Sequence, residues 1–193
     1  MCMIHINDDI SRWSTNEFHR IQKITDEDEK IKQIELMHEF LGKVWDYEKY
    51  VAEYDMYQKL GARNMEFKKS DLSCKELESI WNQTFTNKLT QKEKDDISFN
   101  QYMWHVFSYE KIDCLKGIDA KNAFNMANKD KVYLFYPQLK LAYVISNAND
   151  LNVNDLRTCS EVYVMDIENR LTFVYTHEGG EFVYFYEITN KVI

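Results

Sequence analysis

Lys131-Val-Tyr-Leu-Phe-Tyr136 and, beyond Pro137-Gln138, Lys140-Leu-Ala-Tyr-Val-Ile145 decide the fold of this chain. Both segments consist largely of β-branched and aromatic side chains, which suit a pleated, half-buried surface. The same composition returns in Glu161-Val-Tyr-Val-Met-Asp166, Leu171-Thr-Phe-Val-Tyr-Thr176 and Glu181-Phe-Val-Tyr-Phe-Tyr-Glu187. Links as short as Glu168-Asn169-Arg170 and Glu178-Gly179-Gly180 allow hairpins, so the five segments predict an antiparallel meander over residues 131–187. The longer link from Asn147 to Thr158 has room for one helical turn at Asp155-Leu156. Pro137, the only proline, falls in a turn, where its missing N–H costs no ladder bond. Tyr133, Tyr143, Tyr163, Tyr175 and Tyr184 are expected to divide between a core face and a contact face.

Upstream of these strands the pattern is helical, over residues 71–128. Residues 118–127, after Gly117, place Ala120, Ala123 and Phe124 on one side. The aromatic-rich run 99–109 fits helix and strand equally. Ser73 with Glu76 and Thr90 with Glu93 are capping boxes, the first before a stripe of Leu77, Ile80, Trp81 and Phe85. Residues 61–69 read as a linker or an edge segment. Before them a long helix is expected at 26–58, opened by a Thr25–Asp28 capping box and closed at Gly61. Its apolar seam of Met37, Phe40, Val44, Tyr47, Val51 and Tyr54 recurs at helical spacing and predicts packing against the body. A shorter amphipathic helix carries Ile10, Trp13 and Ile21, with Ser14 and Glu17 as a further capping box. Helices first and sheet afterwards make the chain α+β. Residues 1–64 form a helical N-terminal extension and residues 65–193 an α+β domain.

The net charge is −8, shared evenly: residues 1–64 hold 13 acids and 9 bases, residues 65–193 hold 19 and 15. That balance argues against a nucleic-acid partner, which calls for a basic footprint. It suits a basic protein partner, and equally the plain need to stay soluble. No leading segment resembles a signal peptide and no apolar run is long enough to span a membrane, so a cytoplasmic, non-membrane protein is expected. Cys2, Cys74, Cys114 and Cys159 form no C-x-x-C pair, which disfavours a zinc site or a disulfide framework.

Phosphate-binding, nucleophile-elbow, zincin and EF-hand motifs are absent from the sequence, and five glycines leave little for a phosphate loop. No cofactor and no metal are expected. Two histidines near carboxylates remain as acid–base candidates: His105 with Glu110, and His177 with Glu178. They suit hydrolytic or nuclease-like chemistry if they share a cleft. The plainer reading makes His105 a hydrogen-bonded core residue and His177 the end of a strand. Acids beside aromatics are instead candidates for partner contact: Asp95, Asp96, Trp104, Tyr109, Glu110, Glu178 and Glu181. A third reading is a regulatory or scaffold module whose long helix recruits another helix.

Five strings carry a family resemblance: LTQKEKDDI (89–97), WHVFSYEKIDCLKG (104–117), AFN (123–125), VYLFYP (132–137) and TFVYTHE (172–178), together with Trp81 in a helix. From about Lys75 to Tyr186 the chain resembles a family of small uncharacterised proteins of Bacillus-like bacteria, catalogued as a domain of unknown function. The resemblance supplies no catalytic residues. It implies small accessory genes, some acting as immunity proteins beside secreted polymorphic toxins. Such a protein works by masking a basic toxin domain with a complementary surface. The expectation is therefore a non-catalytic protein-binding protein, an immunity protein or antitoxin. The enzyme and the scaffold module are the alternatives.

Overall fold

The computed structural model describes residues 8–156 and 161–188, which fall into two compact units, Met1–Asp55 and Met56–Ile193. In the first unit α1 (Asp8–Gln22) precedes α2 (Glu27–Gly61), whose last turns belong to the second unit. The α2 cap is Asp26, whose Oδ1 accepts from the Glu29 amide at 2.9 Å, so the Thr25–Asp28 capping box is corrected by one residue. Ser14 lies inside α1 and does not start it. Ile21 is buried, and Trp13 meets Phe40 edge-on at 4.8 Å. The expected seam is not covered: Phe40, Tyr47, Val51 and Tyr54 are exposed. Within the first unit the apolar neighbour of α2 is the shorter α1, too little to hide a stripe several turns long.

Among the described residues the second unit has seven strands, two more than expected. They are β1 (Glu66–Lys69), β2 (Leu115–Lys116), β3 (Lys131–Tyr136), β4 (Leu141–Ser146), β5 (Val162–Asp166), β6 (Leu171–Tyr175) and β7 (Val183–Glu187). Their order is β1-β4-β3-β5-β6-β7-β2, and all the pairings are antiparallel. The meander holds within β3–β4 and through β5–β6–β7 but breaks between β4 and β5. There β5 lies against the other side of β3, with Tyr133 opposite Met165 and Phe135 opposite Tyr163. The long link makes this crossing possible, through two 3-10 turns at Ala148–Asp150 and Val153–Asp155. The crossing leaves one side of β4 open, and β1, from the segment read as a linker or an edge segment, takes it as the edge strand of the sheet.

Both faces of the sheet are covered, so neither is a wet contact face. On one side Leu134, Tyr136, Val164, Phe173 and Phe185 pack with Met56 and Leu60 of α2 and with Phe124 of α6 (Gly117–Met126). On the other, Phe135, Tyr163, Met165, Val174 and Tyr184 meet α3 (Cys74–Phe85), the residues after α4 (Gln91–Asp96) and α5 (His105–Ser108). Tyr143, Tyr163 and Tyr184 are buried, and Tyr133 and Tyr175 half-buried. Each large apolar side chain hidden this way contributes about 1.5–3 kcal/mol. The Ser73–Glu76 and Thr90–Glu93 capping boxes are both formed. The ambiguous run 99–109 resolves into the short α5, and its Trp104 and Phe107 point into the second core. Trp81, fully buried on α3, donates its indole N–H to Thr172 Oγ1 at 2.8 Å, and that hydroxyl donates to the Val164 carbonyl at 2.9 Å. Among the described residues, no helix is long and apolar enough to cross a membrane.

Candidate functional site

The register of β5 against β6 assembles the site. Val162 faces Tyr175, so the residues just outside the ladder, Glu161 and His177, come together at one end of the sheet. The hairpin after β6 is held by the Thr176 hydroxyl donating to the Phe182 carbonyl at 2.8 Å and by the Phe182 amide donating to Gly179 at 3.0 Å. Gly179 sits at φ +103, a conformation that L side chains rarely adopt. On the opposite side α5 begins at Trp104, whose backbone N–H donates to the Tyr163 hydroxyl at 3.1 Å.

The Glu161 carboxylate is the centre of this arrangement and is 2% exposed. Its Oε1 lies 2.7 Å from His177 Nδ1 and accepts from Trp104 Nε1 at 2.9 Å. A buried carboxylate persists only where hydrogen bonds replace its lost hydration, and these two supply that need. Complete burial of Tyr163, with the nearby charge of Glu161 adding to it, holds its phenol well above the ordinary tyrosine value. His105 is anchored at the same nitrogen: its Nδ1 lies 2.6 Å from the Ile97 carbonyl. Tyr102 contacts both imidazoles, with ring centroids 5.2 Å from His105 and 5.5 Å from His177, and Trp104 also touches both.

Beside this cluster opens a cleft of about 490 Å³, lined by Trp104, His105, Ser108, Tyr109, Lys116, Glu178, Glu181, Phe182 and Tyr184. Its walls are aromatic and its rim carries Glu178 and Glu181, neither of them ion-paired with a described residue. Lys116, the lining lysine, is held 3.0 Å from Glu110 outside the cleft. Burial, then the neighbouring Cys114 and Glu178, pushes Tyr184 up to about 12, so its phenol stays neutral. Tyr109 and Phe182 are exposed at the mouth.

Four of the expected contact residues, Trp104, Tyr109, Glu178 and Glu181, thus line one cleft, with Trp104 buried beneath it as a support. Glu110 reaches the cleft only through Lys116. Asp95 and Asp96 are exposed on α4 and do not line it. The expected acid–base pairs are re-matched: His177 pairs with Glu161 in place of Glu178, and His105 with a carbonyl in place of Glu110. The role of Glu161 depends on strand register, and nothing local to an acid at the head of a strand reveals its burial. Burial, foremost, pushes the thiols of Cys74 and Cys114 up to about 12, which makes both poor nucleophiles near neutrality. Among the described residues no group of His, Cys, Asp and Glu is arranged to hold a metal.

The model of a family described as a domain of unknown function, DUF4275, matches residues 54–186, from the end of α2 through β7. Neither the curated proteins nor the solved structures contain a match to the chain.

Proposed function

The chain belongs to the DUF4275 family, and we propose that it is a non-catalytic protein-binding protein, an immunity protein that neutralises a basic toxin domain. The acidic, aromatic-walled cleft carries this reading. Glu178 and Glu181, unpaired among the described residues, line the same cleft as Tyr109, Phe182 and Tyr184, a setting in which a lysine or arginine side chain meets both charge and ring faces. Such a contact needs no reacting group, only complementarity, and the net charge of −8 favours encounter with a basic partner. Co-expression with the toxin encoded beside this gene tests it. Growth is rescued and a complex elutes, while Glu178→Lys with Glu181→Lys weakens association by roughly tenfold or more. Cell death regardless of this protein, with no complex recovered, sinks the proposal.

One observation favours a second reading, a small hydrolase or nuclease-like enzyme. Glu161 orients His177 through Nδ1, as a carboxylate orients an imidazole for general acid–base work, and His105 stands in the same aromatic cluster. On that reading the purified protein cleaves a phosphodiester or glycoside, and His177→Ala abolishes the turnover. Activity that survives His177→Ala removes it.

A further inference from the structure

A second cavity, of about 450 Å³, has the opposite electrostatic character. Lys88 from the turn after α3, Lys111 from the segment after α5 and Arg170 from the β5–β6 turn all line it. Asp113 is the only acid among the described residues of the lining, which are therefore net cationic in a chain of net charge −8. Exposed lysines without a partner are ordinary; three cations from distant parts of the sequence converging on one cavity are not. None of the three is ion-paired with a described residue. The backbone fixes where Arg170 stands: it adopts φ +53 in the turn, and its carbonyl accepts from the Ile188 amide at 3.0 Å.

Apart from the polar Thr84 and Asn87, the rest of the lining is apolar and aromatic: Phe85, Leu89, Ile112, Tyr186 and Ile188. Phe85 and Tyr186 meet edge to face at 6.1 Å, and Phe85 rests in turn on buried Trp81 at 5.6 Å. This wall is rigid because it belongs to the second core. A cavity of this size, apolar over most of its lining with a few converging charges, has the form of a small-molecule site. We infer that it binds a small organic anion, a phosphate or carboxylate carried on a planar apolar body, with the anion among Lys88, Lys111 and Arg170 and the body against Phe85 and Tyr186. Arginine offers the anion a fork of donors, while the lysines act as mobile point charges. This site is separate from the acidic cleft, so it stands or falls independently of the toxin-binding reading.

An NMR titration of the full-length protein with phenyl phosphate tests the inference, with benzoate, inorganic phosphate and benzyl alcohol as parallel probes. Phenyl phosphate is expected to give saturable shifts at the amides of Lys88, Ile112 and Tyr186. Benzoate perturbs the same amides if a carboxylate suffices, and leaves them still if a phosphate is required. Combining Lys111→Glu with Arg170→Glu weakens binding by at least about tenfold, the scale of a lost charge-assisted hydrogen bond. Lys92→Glu, which reverses an exposed lysine outside the cavity, leaves it unchanged. Three results overturn the inference: no saturation up to about 10 mM, benzyl alcohol binding as well as phenyl phosphate, or unchanged affinity in the charge-reversed variant. Inorganic phosphate binding as tightly as phenyl phosphate overturns the aromatic half of it.

Discussion

At the scale of single residues, the side chains that matter most are polar groups placed where water does not reach. Thr172 is one: its hydroxyl receives the Trp81 indole N–H and passes a hydrogen bond to Val164 across the second core. Thr172→Val keeps the volume but strands the indole N–H, and is expected to cost about 1–3 kcal/mol in urea unfolding. Asp155 is another, 4% exposed and 2.9 Å from Lys59 Nζ and 2.7 Å from Arg63 Nη2. Burial pushes its carboxyl upward, but Arg63, the Asn152 amide and Lys59 together outweigh that and hold it below the ordinary aspartate value. A depressed carboxyl contributes stability that is complete above the unfolded-state value, near 3.8, and is lost as the pH falls through the lower folded value. Asp155→Asn is therefore expected to cost about 1–3 kcal/mol at neutral pH, less than a wholly buried pair because both cations are partly solvated. The difference from the parent protein should shrink at acid pH, as urea unfolding across a pH series will report. Thr172 and Asp155 look ordinary in the sequence; their weight comes from partners 91 and 92–96 positions away or nearby only in space.

At the scale of elements, local chemistry was legible wherever the deciding contacts were local. The Ser73–Glu76 and Thr90–Glu93 boxes close on themselves within one turn, and both helices start where those residues predict. Ser73→Ala is expected to destabilise the second unit by about 1 kcal/mol in thermal or urea unfolding, since it leaves the Glu76 amide without its acceptor. The Thr25–Asp28 pair failed as a cap because Asp26, one position on, offers an equally good acceptor and won. The β4–β5 connection failed as a hairpin for a different reason. Strand composition marks which segments are strands, but only their packing says which is the neighbour of which. β1 was legible only as one of two alternatives, a linker or an edge segment, because four residues with one buried side chain, Phe67, carry almost no alternation of their own.

At the scale of the whole molecule, both hydrophobic cores lie within residues 56–193, and the family match begins at residue 54. Deleting residues 1–55 is thus expected to leave cooperative unfolding intact, with a midpoint shift under about 3 °C in calorimetry, less than about 1 kcal/mol on a domain of this size. A loss of cooperativity would show that the first unit supports the second. The amino-acid sequence by itself determined the α+β class, the approximate extents of the long helix and the strands, and the absence of recognised catalytic motifs, because periodicity, caps and turn chemistry act over a few residues. Only the tertiary structure decided that β5 lies beside β3, that both sheet faces are covered, that Glu161 and not Glu178 holds His177, and that Lys88, Lys111 and Arg170 surround one cavity. These are pairings between distant segments, set by strand register and by which apolar faces can be buried together, and no local stretch of the chain contains that information.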